Sequence, residues 1–239
     1  MGARREDLGR EIRPVRLDFV SAGAANALVA KVAAEQGMEV AGSFGAVGAM
    51  LERFNAGDAC DVVILTRAQI AGLAAKGAVV EATVADLGAA PTAIAVRAGE
   101  RLPEVSDEPS LRAALLAADA VYFPDPAKAT AGIHFAKVLD QLGLRERLAA
   151  RIRTFPNGTT AMRAMGEAPG HPIGCTQATE ILAVPSVRLV APLPQGFDLA
   201  TIYTAAVKTG SPHREAAEKL VRKLTGAGSR AARKAAGFV

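Results

Sequence analysis

Leu17-Asp18-Phe19-Val20-Ser21-Ala22-Gly23-Ala24-Ala25-Asn26 is an apolar run that breaks into tiny residues and then opens an amphipathic helix. The pattern returns twice. Met38-Glu39-Val40 leads to Ser43-Phe44-Gly45-Ala46-Val47-Gly48, and Ala120-Val121-Tyr122-Phe123 leads to Asp125-Pro126-Ala127-Lys128-Ala129-Thr130-Ala131-Gly132. A helix start leaves unpaired backbone N–H groups and the positive end of the macrodipole. Small residues let an anion approach those groups closely. Three such starts predict a site that grips a negatively charged ligand largely by backbone.

Working outward, helix-period and strand-like segments alternate, which favours an α/β fold with parallel strands. Strands are predicted over 15–20, 38–42 and 62–65, with helices over 25–35, 48–55 and 67–76. A strand over 90–96 leads through the polar, Pro-bearing stretch 97–109 into a second series. That series has helices over 110–118, 132–142, 159–165 and 177–183, and strands over 120–123, 153–155, 173–175 and 187–190. A strand over 202–207 and a helix over 212–224, with Ser211 as its cap and Pro212 in its first turn, close the chain. Two αβ series joined by extended crossing segments predict two lobes with a cleft between them, where pockets commonly form. Lobe 1 is expected over 15–95 plus 204–239, lobe 2 over 96–203, and a flexible extension over 1–14.

Composition narrows the function. Half of the 239 residues are hydrophobic, enough for a large core, while aromatics are 4% with no Trp. Aromatic stacking is therefore a poor candidate for ligand binding, which argues against single-stranded nucleic acid and most sugars. The net charge of +4 is concentrated at the C-terminus: residues 211–239 hold seven Lys/Arg against two Asp/Glu. Arg214, Lys219, Arg222, Lys223, Arg230, Arg233 and Lys234 fit a solvated helical face, and no nucleic-acid partner is expected. Cys60 and Cys175 read as buried free thiols. No His lies within metal-ligand spacing of either, so neither a zinc site nor a cofactor is expected. No stretch approaches the roughly 20 apolar residues of a membrane helix, and residues 1–14 contain no apolar signal core. The expected location is cytoplasmic for the sequence as written, and periplasmic if a signal peptide has been removed; the expected state is a monomer.

The three loops, together with Asp61-Val62-Val63-Ile64, Ile133, Phe135-Ala136-Lys137 and Gly174-Cys175-Thr176-Gln177-Ala178-Thr179-Glu180, resemble the molybdate-binding protein family of ABC importers. The resemblance runs in one order from about Val15 to Phe238. It implies the type II periplasmic-binding-protein fold: two α/β lobes, a hinge of two crossing segments and a ligand in the cleft, with an ABC permease as partner if the chain is exported. On the same resemblance, Ser21, Ala22, Gly23, Ala46 and Val47 form one wall of the ligand site, and Ala131, Gly132 and Thr159 offer backbone donors. This chain departs from the family pattern at Gly23, Ala46 and Val47, where the family offers serine hydroxyls, and at Gln177, where it offers a tyrosine. Arg67 stands where the family usually carries an acidic residue.

A small organic anion, a di- or tricarboxylate, is therefore expected in place of molybdate. Arg67 can hold a carboxylate in bidentate fashion. Lys128 and Thr130 in the third loop, Thr159 and Thr160 at a helix start, and Thr176 and Gln177 after an apolar strand complete the candidate ligand residues. The family also resembles aconitate isomerase, which implies an alternative: an isomerase moving a double bond in an unsaturated carboxylic acid. Its base would come from Lys128, His134 or Glu180. Tyr203, on a crossing strand, reads as core or hinge.

Overall fold

A computed structural model describes residues 14–239. The N-terminal extension expected over 1–14 therefore lies outside the described residues except for Pro14. Lobe one contains β1 (Arg16–Ala22), α1 (Asn26–Glu35), β2 (Glu39–Gly45), α2 (Val47–Asn55), β3 (Val62–Thr66) and α3 (Arg67–Ala75). β4 (Ala85–Arg97) carries the chain into lobe two, which holds α4 (Glu108–Ala117), β5 (Val121–Pro124), α5 (Thr130–Gln141), α6 (Arg145–Leu148), β6 (Ile152–Phe155), α7 (Gly158–Gly166), β7 (Ile173–Gln177), α8 (Ala178–Leu182) and β8 (Val187–Pro192). The chain returns through β9 (Ala200–Val207) and ends in α9 (Arg214–Thr225) and α10 (Arg230–Ala235).

β1 pairs in parallel with β2 and β3, and β5 in parallel with β6 and β7. Each β-α unit therefore delivers the C-terminal end of its strand, and the start of its next helix, to the same edge of its sheet. Val62, Val63, Ile64 and Leu65 are fully buried, the continuous apolar run of a strand covered on both faces. The lobes are joined through β4. Its first half, to Pro91, pairs antiparallel with β9; from Thr92 it pairs antiparallel with β7, and from Ala93 also with β8. The return strand meets it there: Thr92 N–H donates to the Leu199 carbonyl at 2.8 Å, and Leu193 N–H to the Thr92 carbonyl at 3.0 Å. These two crossing segments put the cleft at the strand ends of both lobes.

One core fills lobe one, built on Leu17, Phe19, Leu28, Val62 to Leu65, Ile70 and Leu220. Lobe two has a core on each face of its sheet, one around Ile94, Leu111, Phe135 and Leu139, the other around Met162, Met165 and Ile181. Each of these large side chains, once buried, contributes about 1.5–3 kcal/mol. Cys60 and Cys175 are buried free thiols, one in each lobe. Burial pushes the Cys60 thiol up to about 12, against a hydrogen bond from Val20 and the charge of Lys208. No helix among the described residues is long and apolar enough to cross a membrane.

Some local expectations are corrected. The strand expected over 90–96 begins at Ala85, because its partner on β9 is more than 100 residues away in sequence. The last long helix begins at Arg214, not at Pro212, and Ser211 is not its cap. The Ser211 hydroxyl instead donates to Asp61 at 2.6 Å and accepts the His213 N–H at 3.1 Å. Arg233, counted in the solvated basic face, turns back to donate to the Leu224 and Gly226 carbonyls at the end of α9.

Candidate functional site: the cleft between the lobes

A small cavity lies where the two lobes meet. Lobe one lines it with Ala22, Gly23, Ala24, Gly45, Ala46, Val47 and Tyr203. Lobe two lines it with Pro124, Ala129, Thr130, Ala131, Asn157, Gly158, Gln177 and Glu180. No Lys, Arg or His is among these residues. The helical turn Gly23–Ala25, α2 and α5 all begin at this wall, and none has a side-chain cap. Elsewhere α3 and α4 are closed by capping boxes, from Thr66 with Gln69 and from Asp107 with Ser110. The starts that face the cleft thus present main-chain N–H groups and a positive dipole end to it, a ready cradle for an anion.

The polar side chains sit mainly on the lobe-two side. Glu180 stands at the third position of α8, three residues after its N-cap Gln177, a spacing that lets a carboxylate reach back to backbone N–H groups. Gly158 N–H donates to its Oε1 at 3.2 Å and the Thr176 hydroxyl to its Oε2 at 2.6 Å. Burial raises the Glu180 pKa above the ordinary carboxylate value, against these bonds and those from the Thr159 and Gln177 backbone. A side chain at position 158 would overlap both Thr176 Oγ1 and Glu180 Oε2, so the close approach of α7 to α8 requires glycine. Gln177 is buried; its Nε2 donates to the Thr201 hydroxyl at 3.2 Å, while its Oε1 has no partner. Tyr203 is buried too, edge-on to Phe238, and its hydroxyl is held protonated by burial and by the nearby Glu180.

Of the residues expected to bind ligand, Ala22, Gly23, Ala46, Val47, Thr130, Ala131 and Gln177 come together at this cavity. The others lie elsewhere. Ser21 turns its hydroxyl to the Ala22 carbonyl at 3.1 Å. Gly132 sits against the Pro124 and Asp125 carbonyls, inside the first turn of α5. Thr176 lies behind Glu180. Thr159 is not among the lining residues and contributes its N–H to Glu180. The Thr160 N–H and hydroxyl both go to Asn157 Oδ1, the cap of α7.

Arg67 is ion-paired to Asp86 on β4, which also accepts the Thr204 hydroxyl at 2.6 Å. Arg67 is therefore not a cleft residue: its partner is fixed within lobe one. Lys128 does not line the cavity; its side chain is ion-paired across the lobes to Glu52 on α2 at 2.8 Å. Its main chain meets lobe one too, because the Gly48 N–H donates to the Lys128 carbonyl at 3.0 Å. His134 Nε2 donates to the Phe197 carbonyl at 2.7 Å, away from the cavity. Among the three candidate bases only Glu180 lines the cavity. Ala24, Gly45 and Ala129 lie in the three predicted loops without having been singled out as ligand residues; Pro124, Asn157 and Gly158 were not expected there, and Asn157-Gly158, directly before a helix, was the available signal for the last two.

The arrangement matches known proteins. The model of the bacterial extracellular solute-binding proteins covers residues 19–239. An aconitate isomerase from Pseudomonas sp is 30% identical over 178 residues, which is 74% of this chain; the match spans 66% of that relative, just under two-thirds of its length. Among solved structures, the Azotobacter vinelandii periplasmic molybdate-binding protein superposes with a TM-score of 0.72 at 19% identity, covering 93% of this chain and 98% of the other. The sulfate-binding protein SubI from Mycobacterium tuberculosis gives a TM-score of 0.67 at 19% identity, covering 94% and 86%. With its two lobes, paired crossing segments and interlobe cavity of helix starts, the chain belongs to the bacterial extracellular solute-binding proteins and has the type II periplasmic-binding-protein fold.

Proposed function

We propose that this chain captures a small organic anion, a di- or tricarboxylate and not molybdate, between its two lobes. The observation that carries this reading is the convergence of three helix starts without side-chain caps on one cavity whose lining holds no cation. Such a wall satisfies carboxylate oxygens by backbone N–H groups, and Thr130, Asn157, Gln177 and Tyr203 add adaptable polar contacts. A tetrahedral dianion needs donors on most of its oxygens. Each hydrogen bond to a charged group is worth about 1.5–3 kcal/mol, and Gly23, Ala46 and Val47 supply no side-chain donor. In this reading the chain works outside the cytoplasmic membrane as a monomer and passes its ligand to an ABC permease. Thermal-shift measurements with molybdate, sulfate, citrate, malate and trans-aconitate test it. One of the carboxylates raises the melting temperature with concentration, about 2.7 kcal/mol of added stability at 100 times Kd. A response confined to molybdate or sulfate contradicts it.

A second reading is favoured by the 30% identity to an aconitate isomerase and by Glu180 in the cavity. A carboxyl there could take a proton from carbon next to a ligand carboxylate and return it two carbons away, while the helix starts stabilise the developing charge. Incubation with cis- or trans-aconitate in deuterated water, followed by NMR, tests it. Conversion or exchange supports the isomerase; neither, with binding intact, leaves capture as the function.

A further inference from the structure

The cleft cradles an anion with helix starts, yet a carboxyl group stands in its wall. Glu180 Oε2 takes the Thr176 hydroxyl and Oε1 takes the Gly158 N–H. Oε1 is also the atom that faces lobe one: a side-chain carbon built on Gly23 would lie 2.9 Å from it. An anionic oxygen resting on the Gly23–Ala25 turn therefore meets Oε1 directly. Two like charges in contact, shielded from water and with no cation in the lining, do not both stay ionised. Gln177 points the same way. It is a lining residue of the cavity; its Oε1 is buried and has no partner, while its Nε2 is committed to Thr201. Gln177 Oε1 is thus an acceptor still open to a hydrogen, while Glu180 already accepts from Thr176 and Gly158.

We propose that ligand capture takes up one proton from solvent, held between the Glu180 carboxyl and a ligand carboxylate oxygen, so that the cleft selects weak-acid organic anions. This rests on the carboxylate-capture reading above. The titratable group facing Glu180 from the packed elements is Tyr203 of β9. Arg163 on α7, Glu167 just past its end and Arg188 on β8 are exposed to solvent. On β4, Arg97 is held by the Ala168 and Gly170 carbonyls and Asp86 by Arg67. The turn Gly23–Ala25, β7 and the rest of α8 carry no charged side chain. The burial that raises the Glu180 pKa is consistent with a carboxyl that gains a proton when a second anion arrives.

The test is isothermal titration calorimetry of the full chain with trans-aconitate, in pairs of buffers of different ionisation enthalpy, from about pH 6 to about pH 9, where the three ligand carboxyls are themselves ionised in water. The expected result is proton uptake that rises toward one per ligand with increasing pH, and an affinity that falls about tenfold per pH unit at the alkaline end. Glu180→Gln is expected to abolish both the uptake and the slope. Should that variant not fold, infrared difference spectra of the unaltered protein carry the test, since ligand addition must produce a protonated-carboxyl band. Binding without uptake and with an affinity independent of pH overturns the inference and leaves carboxylate capture standing, as does a slope that persists in Glu180→Gln. If neither trans-aconitate, citrate nor malate binds at any pH, the carboxylate reading itself fails.

Discussion

The Gly48 N–H donates to the Lys128 carbonyl at 3.0 Å, so the first turn of α2 is tied to the loop before α5 across the mouth of the cleft. This bond couples lobe closure to two of the three helix starts that form the anion cradle. A Cβ on Gly48 would stand 3.0 Å from that carbonyl oxygen and 3.3 Å from the Lys128 Cα. Gly48→Val is therefore expected to wedge the lobes apart and weaken ligand binding at least tenfold, about 1.4 kcal/mol, with little change in the unfolding of the ligand-free protein. Calorimetry and denaturant unfolding check the two halves of this expectation.

Side chains at the rim matter less than the backbone. Lys128 and Glu52 are both well exposed, and exposed ion pairs contribute little. Lys128→Ala and Arg67→Ala are each expected to leave the ligand affinity within about threefold of the original, below 1 kcal/mol. A loss of a hundredfold for Arg67→Ala would put its guanidinium back among the ligand contacts.

Gly158→Ala forces a methyl group into Thr176 Oγ1 and the Glu180 carboxyl. Overpacking of this kind costs about 1–3 kcal/mol. Both a lower denaturant midpoint and loss of ligand response are expected, because the same displacement moves α7 and Glu180 together.

Asp61 gives a pH dependence. Burial works to raise its pKa, but the Ser211 hydroxyl, the Asp18 N–H and His213 together hold it below the ordinary carboxylate value. A carboxyl depressed in the folded state stabilises the fold above its unfolded pKa. That contribution is lost as pH falls through the folded value, below about pH 4. Asp61→Asn, which weakens acceptors for buried donors, is expected to lower stability at neutral pH by about 1–3 kcal/mol. The difference between the two proteins should shrink on acidification below pH 4, as read by urea unfolding.

The order of elements was legible because the signals are local: buried strands such as Val62 to Leu65 followed by small-residue helix starts. Those same signals mark Gly23, Ala46, Val47 and Ala131, which reach the cleft by backbone position alone. Charged side chains were not legible in the same way. Asp86 and Glu52, the ion-pair partners that occupy Arg67 and Lys128, lie 19 and 76 residues distant. Tyr203 is placed by its register opposite Thr66 on β3, and Glu180 by the return of β7 beside β4. Neither pairing has a trace in a single sequence, although the Gln177-to-Glu180 spacing was itself a capping signal.

The most direct test of the anion cradle is a side-by-side calorimetric titration with trans-aconitate, citrate and malate, and with molybdate, at one pH and ionic strength. The account predicts saturable one-to-one binding of at least one carboxylate, at least tenfold tighter than molybdate, or about 1.4 kcal/mol. Tight molybdate binding with no response to any of the carboxylates would contradict it.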